Sequence, residues 1–261
     1  DVFVITKQKK NELLWKCKTK DEKDRTEQLI KPFLRWKDVF DYWCERNDLY
    51  VILAYYWSYK ILETQYPVLF DYLTENADLL KARWQVLYTS SKKVRIWWDF
   101  PWQHHRLELD NNPSLAKIQW YENDKIIYWE ISQTPWFCYD TEWLIIWNTG
   151  YTLSWKKESL KYLCALLNSK CVTYWFKHFY SINLWKSWYR YLSQYMANLP
   201  IPQIPDNEQK KIVDIVDTIL DEKKDNKYAD VSTYKKEIDK IVYQLYKLTD
   251  EEIQIIEEDI K

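Results

Sequence analysis

Glycine is almost absent from this sequence. Its 261 residues include one glycine, where average usage of about 7% would give roughly eighteen. Phosphate-binding loops depend on glycines, because the backbone must approach the ligand closely. The usual nucleotide loops are therefore excluded, as is the glycine-rich S-adenosylmethionine loop of methyltransferases.

The sequence also lacks long apolar runs and a signal peptide, and it has a single methionine. No run approaches the roughly 18 apolar residues of a membrane span, and no signal peptide opens the chain, which predicts no membrane partner and a cytoplasmic location. The first residue is Asp1 and the one methionine is Met196. This predicts that the chain is a piece of a longer protein.

Metal-binding and catalytic motifs are missing as well. Five cysteines without a C-x-x-C and three histidines argue against zinc and predict reduced, mostly buried thiols. The methyltransferase tetrapeptide [D/N]-P-P-[Y/F/W] does not occur. The carboxylates of "PDNEQK" (205–210) stand at a helix start, where capping is the better interpretation than magnesium binding. We predict a binding piece with no catalytic residue, no metal site and no cofactor of its own.

The near-neutral net charge of −1 conceals an uneven distribution. Residues 206–261 carry 10 Lys/Arg against 16 Asp/Glu, whereas residues 1–205 carry 28 against 23. Cations concentrate in residues 78–106 and in residues 168–195, and the second window has no acid at all. A polyanion is expected to bind the first part and to be repelled by the tail.

Periodicity predicts a mixed α+β fold. "VFVIT" (2–6) and "DLYVILAYY" (48–56) favour strands, and Pro67 favours a helix start. A Lys/Glu-rich segment to about 30 is interpreted as a helix with one thin apolar edge or as a partly mobile stretch. Residues 125–155 resemble a β-meander, with a hairpin predicted over 136–148. Helical spacing returns at 158–180, and residues 177–190 are interpreted as a long connection. After "LPIPQIP" (199–205) we expect Asp206 as an N-cap with Gln209, amphipathic helices over 207–222 and 232–248, and a short helix capped by Thr249.

Several stretches are similar to one known family. "DKIIYWEIS" (124–132), "LCALLNSKCVTYWFKH" (163–178), "YRYLSQYMANLPIPQIPDNEQKKIVDIVDTIL" (189–220) and "IDKIVYQLYKLTDEEI" (238–253) resemble motifs of the TaqI-like C-terminal specificity domain. "FLRWKDV" (33–39) and "IWWDF" (96–100) resemble two more. This domain occurs in DNA adenine N6-methyltransferases and fused type IIG restriction–modification enzymes, and the "PIP" junction is also similar to type I specificity subunits.

The resemblance implies a target-recognition domain over 1–205, with short antiparallel strands and helices, and a helical segment over 206–261. Its partners would be double-stranded DNA and a methyltransferase or endonuclease domain of the same or another chain. S-adenosylmethionine, and Mg²⁺ for any endonuclease, are expected in the parent enzyme, an adenine-specific methyltransferase with or without nuclease activity. A target-recognition domain reads bases in the major groove with side chains from its loops, and lysines and arginines that bind phosphates fix its position on the DNA.

The family pattern is broken at its glycines. Trp36, Trp143 and Lys247 stand where the family has glycine, and Trp129 where it often has proline. A side chain at a left-handed turn costs about 1–2 kcal/mol. These loops are expected either to take another shape or to mark an unusual member of the family.

The two cation-rich windows hold the predicted DNA contacts. The first set shares a loop around Trp97 and Trp98, and the second precedes the proline junction, where Arg190 would read guanine and Lys186 would touch phosphate. The predicted residues are Arg83, Lys92, Lys93, Arg95, His104, His105 and Arg106, then Lys177, His178, Lys186, Trp188, Tyr189 and Arg190.

Two other functions stay open. Exposed tryptophans could stack on carbohydrates or single-stranded nucleic acid, and acidic C-terminal helices could hold a partner subunit. For the basic windows, a solvated charged loop is the plainer alternative.

Overall fold

The computed structural model describes residues 2–53, 59–81, 122–134, 136–146, 150–154, 160–180, 182–185 and 188–260. Short, mostly antiparallel strands and helices alternate along these residues, and helices alone occupy the C-terminal part. The predicted α+β class is therefore confirmed. Within the described ranges, no helix has the length and apolar character to cross a membrane.

The elements are numbered in chain order. The strands are β1 (Val4–Thr6), β2 (Ile30–Leu34), β3 (Leu49–Ile52), β4 (Lys125–Trp129), β5 (Ile131–Ser132), β6 (Cys138–Asp140), β7 (Ile145–Ile146), β8 (Gly150–Leu153), β9 (Ile182–Trp185) and β10 (Trp188–Arg190). The α-helices are α1 (Lys7–Lys16), α2 (Lys20–Leu29), α3 (Tyr59–Gln65), α4 (Pro67–Glu75), α5 (Ala77–Lys81), α6 (Leu160–Asn168), α7 (Lys170–Trp175), α8 (Ser193–Met196), α9 (Asp206–Asp225), α10 (Ser232–Leu245) and α11 (Asp250–Asp259). A 3₁₀ turn covers Trp36–Asp38, and a π-helical turn covers Phe176–Tyr180.

The chain forms two compact units, each built from separate segments. The first comprises Asp1–Leu34, Arg46–Glu122 and Glu142–Asn148, and the second comprises Arg35–Glu45, Asn123–Thr141 and Thr149–Lys261. The functional division at residue 205 stays a prediction.

A four-stranded sheet organises the first unit in the order β1-β3-β2-β7. β3 pairs antiparallel with β1 and β2, and β7 runs parallel to β2. Pro32 lies inside β2 opposite Tyr50. Pro67 occupies the first turn of α4, as predicted. Buried side chains of the sheet and of α3 and α4, such as Val51 and Leu69, form the core.

The Lys/Glu-rich segment before residue 30 is two helices. Thr6 accepts a hydrogen bond from the N–H of Lys9 at 3.2 Å and so caps α1. Thr19 does the same for α2, with the N–H of Glu22 at 3.1 Å. Each hydroxyl satisfies a donor that has no partner within its helix.

Two small antiparallel sheets belong to the second unit, in the orders β6-β4-β8 and β5-β10-β9. The predicted hairpin over 136–148 is wrong, because β6 pairs with β4 whereas β7 pairs with β2. Lys125 of β4 and Asp140 of β6 are register partners and form a buried ion pair at 2.5 Å, each 1% exposed. Removing one partner of such a buried ion pair strongly destabilises a protein, because the other charge is left buried and unpaired.

The "LNSK" motif joins α6 and α7 to the strands. α6 is buried along nearly its whole length, which suits a helix that is apolar on every side. Asn168 at its end donates to the carbonyl oxygen of Phe137 at 2.8 Å and accepts from the N–H of Phe137 at 3.1 Å. Ser169 is the N-cap of α7 and accepts from the N–H of Val172. The motif therefore has a structural role.

The C-terminal helices pack an apolar stripe onto the same core. Ile212, Val216, Ile219, Ile238 and Val242 are fully buried in it. Predicted residue Asp206 is not the N-cap of α9: that position is Pro205, without a side-chain cap, and Gln209 instead donates to the carbonyl oxygen of Ile204 at 2.8 Å. The Thr249 cap is confirmed, with a reciprocal bond from its N–H to Glu252.

Three described residues other than glycine have positive φ: Tyr42 (63°), Trp143 (60°) and Lys247 (54°). Trp143 and Lys247 are two of the three positions where the family has glycine. At both of them the backbone has kept the left-handed conformation that glycine adopts most easily. Trp36 instead lies in a 3₁₀ turn.

Candidate nucleic-acid interface

β10 presents alternate side chains to solvent. Trp188 is 41% exposed and Tyr189 is 8% exposed, in keeping with the alternation of side chains along a strand. Arg190 is exposed again, and its partner across the ladder is the exposed Ile131 of β5. We name Ile131, Trp188 and Arg190 the β10 face.

The guanidinium of Arg190 is held by a buried carboxylate. Its Nε donates to Oε1 of Glu130, whose side chain is 10% exposed against 44% for Arg190. The backbone carbonyl of Glu130 also accepts from the N–H of Tyr191 at 2.6 Å, which fixes the position of this residue beside β10. Charge-assisted hydrogen bonds are stronger and more directional than neutral ones. Glu130 therefore restricts the orientation of the Arg190 side chain.

Two other predicted cations meet one carboxylate on α11. The Nζ of Lys177 lies 2.7 Å from Oδ2 of Asp259, and Nε2 of His178 lies 3.1 Å from the same oxygen. The hydrogen bond from Lys177, supported by that from His178, holds the pKa of the Asp259 carboxyl below its usual value. Closer to the start of α7, Lys170 pairs with Glu257 at 2.5 Å.

Residues 168–195 contain no acid, but their cations Lys170, Lys177 and Arg190 pair with carboxylates from distant parts of the chain. Glu130 comes from the β4–β5 stretch, and Glu257 and Asp259 come from the last helix, more than 50 residues away along the chain in every case. The stretch interpreted as a connection over 177–190 is also more regular than expected, because it contains the end of the π-helical turn and both strands β9 and β10.

An exposed aromatic ring lies beside these cations. Phe179 in the π-helical turn is 71% exposed, and the preceding His178 packs its ring on Tyr174 with centroids 4.5 Å apart. π-helical turns often accompany functional sites. Sequence reasoning missed Phe179, because its spacing fits a packed helix, and missed Glu130 and Asp259, because their partners are distant along the chain.

The structure places five of the thirteen predicted contact residues. It puts Trp188 and Arg190 on one exposed face, places Lys177 and His178 on Asp259, and turns Tyr189 toward the core. Tyr189 packs inside the unit, and its predicted DNA contact stays a prediction. The other eight lie outside the described residues: Arg83, Lys92, Lys93, Arg95, His104, His105, Arg106 and Lys186.

Comparison with known proteins identifies a family model and a curated relative. Residues 76–201 match the model of the TaqI-like C-terminal specificity domain, a range that contains β4 to β10 and the β10 face. Over 161 residues the chain is 28% identical to the type II methyltransferase M.BanIII of Aneurinibacillus aneurinilyticus, covering 60% of this chain and 25% of that protein. The matched part thus spans about a quarter of the relative. The resemblance indicated by the sequence motifs is confirmed by this match to the TaqI-like C-terminal specificity domain over residues 76–201.

Proposed function

We propose that this chain recognises a double-stranded DNA sequence for a type II restriction–modification methyltransferase, and that it positions a catalytic domain there. The observation that carries the proposal is the β10 face inside the matched specificity domain, with Arg190 oriented by a buried carboxylate. A guanidinium in a fixed orientation suits the bidentate reading of guanine O6 and N7.

In this proposal the side chains have different tasks. Arg190 reads a base, Trp188 and Ile131 supply apolar contact at the groove edge, and Lys177 and His178 contact phosphates. Contacts to phosphate hold the protein in register without carrying sequence information, whereas base contacts set specificity. The basic segment 83–106 adds further predicted contacts outside the described residues.

Catalysis is assigned to another part of the parent protein. The single glycine, Gly150, lies in strand β8 opposite Trp129 and not in a loop that could cradle S-adenosylmethionine. The described residues therefore do not fit that cofactor. We place the cofactor, the adenine chemistry and any Mg²⁺-dependent endonuclease of a type IIG parent in a separate catalytic domain, on the same or a partner chain.

The test begins with the sequence that the chain selects. Duplexes recovered from a random library would define a site, and fluorescence anisotropy would then measure its affinity against a scrambled duplex. Arg190→Ala should weaken specific binding about 5- to 100-fold, which corresponds to the loss of one bidentate base contact. Arg46→Ala is the matched control, because Arg46 is also an exposed arginine paired with a glutamate, Glu142, at 2.7 Å.

Three results would contradict the proposal. One is a folded chain that selects no duplex at low salt. Another is an Arg190→Ala variant that binds like Arg46→Ala. A third is tighter binding to single strands or oligosaccharides than to any duplex, which would favour stacking on exposed aromatics such as Trp36.

A further inference from the structure

α11 carries the Asp259 carboxylate onto the two cations that we assign to DNA phosphates, and a second carboxylate onto a neighbouring lysine. Asp259 binds Lys177 and His178, and Glu257 binds Lys170. We propose that α11 is an acidic strap that competes with DNA for Lys177 and His178 and thereby lowers the affinity of the resting chain. This inference rests on the proposed function and adds a regulation to it.

The strap is anchored independently of Asp259. Its first turn is fixed by the Thr249–Glu252 capping box, and Ile256 is 3% exposed in the core of the second unit. Glu257 accepts a hydrogen bond from the hydroxyl of Tyr243 at 2.8 Å. Because these contacts hold the helix, loss of the Asp259 charge alone should leave α11 in place.

Competition follows from the chemistry of the acceptor. A carboxylate and a phosphate oxygen accept the same ammonium and imidazolium donors, so Lys177 gains a phosphate only by giving up Asp259. The paired side chains are 25% and 30% exposed, which leaves them accessible to a polyanion. A phosphate brought to Lys177 would also lie well within the Debye length of Asp259, and the two anions would repel each other.

The test removes this one charge. Asp259→Asn keeps the size of the side chain, and we expect it to bind the selected duplex about 2- to 10-fold more tightly, since two exposed ion pairs no longer oppose the contact. The slope of log affinity against log salt should steepen by about one phosphate contact. Glu251→Gln removes an equal charge from an exposed position in the first turn of the same helix and serves as the control.

The outcomes separate the two proposals. If the wild type selects a duplex and Asp259→Asn binds it no better than Glu251→Gln, the strap is wrong and the DNA-recognition function stands. If neither the wild type nor Asp259→Asn binds any duplex while circular dichroism shows both folded, DNA recognition fails and the strap with it. A larger gain for Asp259→Asn than for Glu251→Gln supports the strap.

A second inference comes independently from the tryptophans. The chain has 17 tryptophans and one glycine. Trp143 has φ of 60° and is 46% exposed, and Trp15 and Trp36 are 86% and 69% exposed. Tryptophan is ordinarily well buried, and a positive φ is the conformation for which glycine is favoured. At Trp143, one of the many tryptophans therefore occupies a backbone conformation that favours the scarce glycine.

We infer that the source organism reads the codon at position 143 as glycine, so that the native chain carries glycine where this sequence has Trp143. A single reassigned codon would raise tryptophan and deplete glycine together, as observed. The test is peptide mass spectrometry of the protein purified from its own cells. A peptide containing glycine at position 143 supports the inference, and one containing tryptophan overturns it.

Discussion

The backbone N–H of Leu248 donates to the carbonyl oxygen of Tyr243 at 3.0 Å, across the left-handed residue Lys247. The N–H of Lys247 donates to Gln244, also at 3.0 Å. These two bonds form a Schellman motif, which ends α10 and is most often built with glycine at the left-handed position. A lysine here keeps the geometry of the motif but adds the steric cost of a Cβ.

Lys247→Gly should therefore stabilise the protein by about 1 kcal/mol, because glycine adopts this φ without that cost. Urea unfolding followed by circular dichroism measures the change. Lys240→Gly is the control: Lys240 is exposed inside α10, where glycine should cost about 1 kcal/mol. Equal effects of the two substitutions would contradict the assignment.

The other two positive-φ residues should respond in opposite ways to glycine. Trp143 is half exposed, so Trp143→Gly relieves the backbone and should stabilise by about 1 kcal/mol. Tyr42 is 1% exposed, within the core of the second unit, so Tyr42→Gly should destabilise by about 3 kcal/mol or more through the lost packing. Thermal unfolding of both variants tests this contrast, and stabilisation by Tyr42→Gly would show that backbone strain outweighs packing there.

Elements specified by nearby residues could be predicted from the sequence. The Thr249–Glu252 cap needs residues three apart, and Pro67 marks its own helix. The 136–148 hairpin failed because Asp140-Thr141 looks like a turn, while the partners of the two strands are Lys125–Trp129 and Ile30–Leu34. Pairing over such distances depends on the whole core and leaves no local pattern.

Asn168 shows how a family motif can be recognised without its role being apparent. Its side chain satisfies both the N–H and the carbonyl of Phe137, a contact that the sequence does not reveal. Asn168→Ala should destabilise by about 1–3 kcal/mol, because the N–H of Phe137 loses its acceptor in a partly buried place, whereas the carbonyl oxygen of Phe137 still accepts from the N–H of Tyr42 at 3.0 Å. Asn198→Ala removes a more exposed amide that bonds only within its own turn, and chemical denaturation should show a smaller loss for it.

Asp239 should make stability depend on pH. Burial raises the pKa of this carboxyl from 3.8 to about 6, against the opposing hydrogen bond from the N–H of Lys170. The folded state then binds the proton more tightly than the unfolded state, so the stabilisation is complete below about pH 4 and is lost as the pH rises through about 6. Asp239→Asn removes this dependence and keeps an acceptor for Lys170.

We expect Asp239→Asn to exceed the wild type in unfolding free energy at pH 7.5 by on the order of 2 kcal/mol and to match it near pH 4. Asp230→Asn is the control of opposite sign. The hydrogen bond from the N–H of Ser232 lowers the pKa of Asp230, so this variant should lose stability at neutral pH. A wild type more stable than Asp239→Asn at pH 7.5 would disprove the assignment.

Glu130 is the residue of the candidate interface that most depends on the structure, since its partner Arg190 lies 60 residues away. If Glu130 orients Arg190 for base reading, Glu130→Gln weakens that orientation and also removes a negative charge near the DNA. We therefore expect the preference for the selected base pair to fall about 5- to 10-fold, within the range of one bidentate contact. Binding to scrambled duplex should be unchanged or tighter, because the charge no longer repels phosphate.

A glutamate of purely structural importance would behave differently, weakening every duplex equally as the fold loosens. Glu45→Gln is the matched control, because Glu45 also pairs with a cation, Lys227 at 2.7 Å, in the same unit. Competition binding with duplexes altered one base pair at a time measures the preference. A loss confined to one base pair in Glu130→Gln, reproduced by Arg190→Lys and absent in Glu45→Gln, would identify Glu130 as a positioning residue for Arg190.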